Sequence, residues 1–222
     1  VLLMKDGHNT FVKAICEAAG GTRVVSGGDD SIICIWDASS GRRMLQLKGH
    51  EGIVRALCSS VDGERVFSGS ADATIRMWDV QSGRCLKTLK GHTGGVWSLS
   101  ATADGTRLVS GGGRELIVWD LTTWKRLQVI EEKDEEGEPV DFEAVFPSPD
   151  GTHIIAKSGR RTSDGGKPGA LYVFDVWSGQ RLTRIAASVC SMAGSSDGSR
   201  ILTGAADGSG VAWQLGLTEQ GH

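Results

Sequence analysis

Two dipeptides return along this chain at nearly constant spacing, and that spacing restricts the fold more than any other feature. Gly7-His8, Gly49-His50 and Gly91-His92 recur every 42 residues, and Trp36-Asp37, Trp78-Asp79 and Trp119-Asp120 follow at intervals of 42 and 41. Phe174-Asp175 marks a fourth unit and Trp213 a fifth. Self-similarity at such a period means that each unit is one supersecondary element, which buries its apolar face only by stacking on its neighbours. The units fall at 7–48, 49–90, 91–130, 131–186 and 187–215, within a single domain over 1–222.

Inside each unit the order is the same: an alternating apolar run, a turn, a second run, a polar turn, a third run ending in the aromatic residue, and a fourth. Alternation with period two predicts strands, and no 3.6-residue period is sustained, so the chain is expected to be all-β. The third runs, such as Ser31 to Trp36 and Thr74 to Trp78, are rich in β-branched and aromatic side chains. Asp62-Gly63, Asp104-Gly105, Asp150-Gly151 and Asp197-Gly198, with Gly20-Gly21 in the first unit, read as two-residue hairpin turns that need positive φ. Ser40-Gly41, Ser82-Gly83 and Ser178-Gly179 turn each unit into its last strand. This frequent turning accounts for 32 glycines, about twice the ordinary share.

Composition removes several function classes. Hydrophobic residues at 39%, charged residues at 23% and a net charge of −3 describe a chain that can bury a core and lacks the basic coat of a general nucleic-acid binder. No run approaches the ~18 uncharged apolar residues of a membrane span. Five cysteines (Cys16, Cys34, Cys58, Cys85, Cys190) make an odd count with no CxxC pair, which predicts reduced thiols in an intracellular compartment, cytoplasmic or nuclear. Cys16 and Cys58 each stand eight residues after a Gly-His histidine and are expected to act as small core side chains.

With the Gly-His and Trp-Asp pairs in these places, the chain resembles the WD-repeat (WD40) family, whose units form the four-stranded antiparallel blades of a β-propeller. The resemblance covers nearly the whole chain. It implies a buried tetrad in each blade: the Gly-His histidine, a Ser or Thr of the second strand, an Asp of the next turn, and the Trp. By position these are His8, Ser26, Asp30 and Trp36 in the first unit, and His50, Ser68, Asp72 and Trp78 in the second. The third offers His92, Ser110 and Trp119 but has Gly113 where the Asp belongs, so its network is expected to be incomplete. The fourth has Ala156 and Phe174 at the Ser and Trp positions, and the fifth keeps Thr203, Asp207 and Trp213 without a histidine. Five repeats are fewer than the seven usual in the family. A closed five-blade ring, with residues 1–6 as a closing strand, and a portion of a larger propeller both remain open.

His8, Ser26 and Asp30 name the residue types of a serine-hydrolase triad, but the same set recurs with a Trp in each intact unit, which favours structural groups satisfying one another. Ser26-Gly27-Gly28 and Gly111-Gly112-Gly113 lack the Lys-Ser/Thr ending of a phosphate loop and precede strands. The histidines are too dispersed to gather around a metal. No catalysis, cofactor, metal or small-molecule substrate is expected.

Function is then expected on the surface, and the resemblance implies a protein-interaction scaffold or adaptor that docks a peptide or protein partner on one propeller face. The resemblance also leans the starts of the first strands toward the central channel, and these are Lys13, Arg55 and Trp97. Tryptophan and arginine are enriched among interface hot spots. Residues 131 to 138 (EEKDEEGE) carry a local charge of −5, leaving the remaining chain at +2, and the insertion from Gly159 to Gly169 carries Arg160, Arg161 and Lys167. Both insertions are expected on the face of Lys13, Arg55 and Trp97, where they would recruit a charged partner or pair with each other. An RNA or ribonucleoprotein-binding propeller, with Trp97 as a stacking surface, is the alternative, as is a recognition module within a multidomain protein. A pI near 6.0 weighs against the nucleic-acid reading.

Overall fold

A computed structural model describes residue 4 and residues 7–148, 150–159, 169–186, 189–194, 200–205 and 209–214. Five antiparallel sheets follow one another, each built from consecutive strands in sequence order. The first holds β1 (Val12–Ala18), β2 (Arg23–Gly28), β3 (Ile33–Asp37) and β4 (Arg43–Leu47), and the second β5 (Val54–Ser59), β6 (Arg65–Ser70), β7 (Thr74–Asp79) and β8 (Cys85–Lys90). The third holds β9 (Ser98–Ala101), β10 (Arg107–Gly112), β11 (Glu115–Asp120) and β12 (Arg126–Glu131). The fourth holds β13 (Phe142–Pro147), β14 (His153–Ser158), β15 (Ala170–Asp175) and β16 (Arg181–Ala186), and in the fifth β17 (Val189–Gly194), β18 (Arg200–Ala205) and β19 (Gly210–Gln214) are described. β1, β5, β9, β13 and β17 lie side by side as the inner strands, so these are blades of a β-propeller. No helix is found among the described residues, hence none long and apolar enough to cross a membrane.

The core lies between blades. Val25, Ile33 and Ile35 of the first blade pack with Val54 and Trp78 of the second, and Phe67, Ile75 and Met77 of the second with Val96, Leu108 and Trp119 of the third. Each junction is keyed by a glycine of the second strand. A Cβ on Gly27 would lie 2.5 Å from Val54 Cγ1, one on Gly69 2.6 Å from Val96 Cγ1, and one on Gly111 2.7 Å from Val145 Cγ1. The fourth blade departs from this rule, because its residue at that place is Lys157, and the core beyond it shrinks to Ile155, Leu171 and Val189 with a few half-buried neighbours. Among the described residues the end blades are less covered on their outer flanks: Val12 is 51% exposed where its register equivalents Val54 and Phe142 are at 0%, and Leu202 is 52% exposed where Val25 and Phe67 are at 0–1%.

The turns between first and second strands are longer than two-residue hairpins. Ser60 to Glu64 separate β5 from β6, and only Gly63 takes positive φ, at 70°. Asp62 keeps an ordinary backbone and instead accepts hydrogen bonds from Ser60 Oγ (2.5 Å) and the Glu64 N–H (3.0 Å). Its role is to cap the turn with its side chain. The Asp of each Trp-Asp pair does the same at the other turn: Asp79 Oδ1 accepts from the Ser82 N–H and hydroxyl at 2.7 and 2.5 Å. Those hydrogen bonds hold the Asp79 carboxyl below the usual carboxylate range.

Cys16, Cys34, Cys58 and Cys85, the cysteines whose side chains are described, are free thiols. Cys16 and Cys58 pack against the apolar junctions. Burial pushes the Cys16 thiol up to about 12 and that of Cys34 up to about 11, and raises Cys58 as well. Cys85, at the start of the outer strand β8, is exposed.

Candidate functional site

The tetrads form as closed polar circuits. In the second blade His50 Nδ1 meets Asp72 Oδ2 at 2.8 Å, His50 Nε2 meets Ser68 Oγ at 2.7 Å, and Trp78 Nε1–H donates to Ser68 Oγ at 2.8 Å. The first blade repeats this through Asp30, His8, Ser26 and Trp36 at 2.8–3.0 Å. The glycine before each histidine leaves room for the indole: a Cβ on Gly49 would lie 3.1 Å from Trp78. Asp72 also accepts from the Glu51 N–H and from the N–H and hydroxyl of Thr74, so one carboxylate ties two loops.

Charge follows from this wiring. Burial lowers the pKa of His50, against the opposing pull of Asp72, and the ring stays neutral with Nδ1–H toward the carboxylate. Burial alone would raise Asp72, but hydrogen bonds from Thr74, His50 and Glu51 outweigh it and hold the group at about 2. Ser68 therefore donates to a neutral imidazole, as a hydrolase nucleophile does. Yet its oxygen also accepts the indole N–H, and the residue is 0% exposed. A carbonyl carbon cannot reach it, so the resemblance to a triad ends at residue type and pairwise distance.

The third blade corrects the expected gap. Its turn is one residue shorter, and Glu115, the first residue of β11, reaches back with a longer side chain to where Asp72 stands in the second blade. Glu115 Oε1 accepts from the Thr93 N–H at 2.6 Å, as Asp72 does from Glu51, and lies 3.4 Å from His92 Nδ1. His92 Nε2 and Trp119 Nε1 meet Ser110 Oγ at 2.7 and 2.8 Å. The carboxylate is thus supplied, though His92 Nδ1 makes no hydrogen bond. The fourth blade replaces the circuit with rings: Tyr172 stacks on Phe174 at 6.0 Å and 8°, and Phe142 meets both edge-on. In the fifth blade Thr203 is buried, while Asp207 and the Trp213 side chain lie outside the described residues.

Lys13, Arg55 and Trp97 come together as expected, lining a cavity of about 510 Å³ with Gly113, Asp141, Phe142, Glu143 and Gly159. Glu143 was missed in the sequence. It follows Phe142 as Arg55 follows Val54, and the pairing of Phe142 with Ser158 and of Val54 with Ser70 puts the two residues at one register position. The Arg55 guanidinium stands over the Trp97 ring, 4.6 Å from its centroid. Lys13 Nζ lies 3.4 Å from Asp29 Oδ2, and Lys157 Nζ meets Glu143 Oε2 at 2.8 Å.

The acidic run does not gather at this cavity. Glu132 binds Arg181 at 3.0 Å and Glu135 binds Arg184 at 2.6 Å, both arginines being on the outer strand β16. It also turns on itself through an Asp134–Gly137 bond and a Lys133–Pro139 bridge. These two partners stand on the outer strand of the same unit, and the expectation that the insertions recruit a charged partner or pair with each other falls on residues outside the described ones. Arg160, Arg161 and Lys167 lie outside the described residues. No cluster suited to a metal occurs among the described residues. A second arginine–tryptophan pair, Arg107 over Trp177 at 3.8 Å, sits at the opposite ends of the strands.

The family model described as WD domain, G-beta repeat matches residues 2–37, 41–79, 83–120 and 179–214, leaving the aromatic fourth blade largely unmatched. Comparison with curated proteins found no match.

Proposed function

The chain belongs to the WD-repeat (WD40) family, whose propellers generally serve as protein-interaction scaffolds, and from that premise we propose that it is a non-enzymatic adaptor docking a peptide or protein segment over the mouth of its channel. The observation that carries this reading is the cavity into which three blades send Lys13, Arg55 and Trp97 and the fourth sends Glu143. Such a site mixes an aromatic surface with charges of both signs, the chemistry of a protein contact, and its lining comes from strand starts fixed by the sheets. Burial of Ser26, Ser68 and Ser110 inside their circuits supports an absence of hydrolytic function. The unpaired thiols support an intracellular setting.

The test is a lysate pull-down read by mass spectrometry, comparing three proteins of equal melting temperature. These are the wild type, a Lys13→Glu/Arg55→Glu/Trp97→Ala variant, and an Arg107→Glu/Trp177→Ala variant altered at the opposite strand ends. Partners lost from the first variant and kept by the second place docking at the cavity. Partners kept by both move it to another surface.

A further inference from the structure

We propose that the channel-mouth cavity receives an anionic side chain of the docked peptide, with the Arg55 guanidinium binding its oxyanion; this rests on the docking reading above. The argument begins with the charges of the lining. Lys13 is paired with Asp29, Glu143 with Lys157, and Asp141 lies 4.0 Å from Arg114. Among the described lining residues Arg55 is the charged group that makes no ion pair, and its guanidinium lies over the face of Trp97.

That contact prepares the group for a ligand. Stacking occupies one π face of the guanidinium and leaves its in-plane N–H fork available, the edge that binds carboxylate or phosphoryl oxygens two at a time. The indole also restricts the arginine's rotamers before binding, which lowers the entropy lost when a ligand is held. The Arg107–Trp177 pair provides the contrast, because there the guanidinium already donates to the Gly151 carbonyl at 3.1 Å.

The surroundings select the ligand's context. Glu143 and Asp141 also line the cavity and, even with Lys157 and Arg114 beside them, add no positive charge for a chain of successive phosphates, whereas a single anion flanked by neutral or basic residues needs only Arg55. The Trp97 face bearing Arg55 is closed to a stacking base. A peptide with one Asp, Glu or phosphorylated residue therefore fits better than RNA.

The experiment is fluorescence polarisation with pools of labelled nonapeptides, randomised at the flanks and fixed at the centre as Glu, phosphoserine, Gln or Lys. The Glu or phosphoserine pool should bind at least about tenfold more tightly than the Gln pool, a difference of about 1.4 kcal/mol. The tighter of the two identifies the oxyanion's source. Arg55→Gln should abolish the difference at unchanged melting temperature, and Arg55→Glu should shift preference to the Lys pool. Equal binding of all pools, or a wild-type preference for Lys, overturns the anion receptor and leaves docking standing. Binding of no pool overturns it too, while the pull-down separately decides the docking reading. Tighter binding of a labelled dodecauridine than of either anionic pool overturns it in favour of nucleic acid.

Discussion

In the second blade a histidine, a serine, an aspartate and a tryptophan close a buried polar circuit; in the fourth, Phe142, Tyr172 and Phe174 fill the corresponding region with stacked and edge-on rings. Both blades have four strands and the same register, with Ser68 and Ala156 each opposite the residue two before the aromatic position. The sheet therefore does not require the tetrad. What the tetrad adds is a link from the inner loop to the next turn, through Asp72, and this link depends on protonation. The aromatic blade is expected to resist pH and suffer more from lost volume.

The comparison breaks most easily at Phe174, which is 0% exposed. Phe174→Ala should cost about 3–5 kcal/mol, seen as a lower urea midpoint at unchanged slope. Ser68→Ala removes a hydroxyl that accepts from an indole and donates to an imidazole in the second blade and should cost about 1–3 kcal/mol in the same assay. A larger loss at Ser68 than at Phe174 would reverse the ranking.

Acidification sharpens the contrast. The folded-state pKa of His50 is lowered, so the unfolded chain binds the proton first, and stability falls as pH drops below the unfolded value of about 6.5. Asp72 is held at about 2, so its contribution is full above the unfolded value and is lost as pH falls from about 4 toward 2. Urea midpoints between pH 7.5 and 5 should decline in the wild type. His50→Gln should flatten that decline, and Phe174→Leu should lower the midpoints while leaving the slope. The smallest effect belongs to the acidic run: Glu135→Gln, at an exposed pair, should change stability by about 0–1 kcal/mol in low salt and less in high salt.

The fold was legible because the 42-residue period repeats both the strand pattern and its punctuation. The first two tetrads were legible for the same reason. Glu115 was not, since a shortened turn and a longer side chain move the carboxylate off its fixed offset while returning it to the same place. Glu143 escaped notice because the fourth unit has no Gly-His pair from which to count. The attachment of Glu132 and Glu135 to Arg181 and Arg184 joins residues 49 apart, a distance at which charge patterning along the chain carries no information.

The contrast among the thiols gives the molecule a usable chemical handle. Cys16, Cys34 and Cys58 are held as neutral thiols by their surroundings, whereas Cys85 stands in solvent on the outer strand of the second blade, away from the inner strand that carries Arg55. Among the described cysteines, brief treatment with a maleimide at neutral pH should therefore modify Cys85 first. A dye or surface tether placed there would hold the protein by an outer strand, leaving the inner strand that carries Arg55 clear of the attachment.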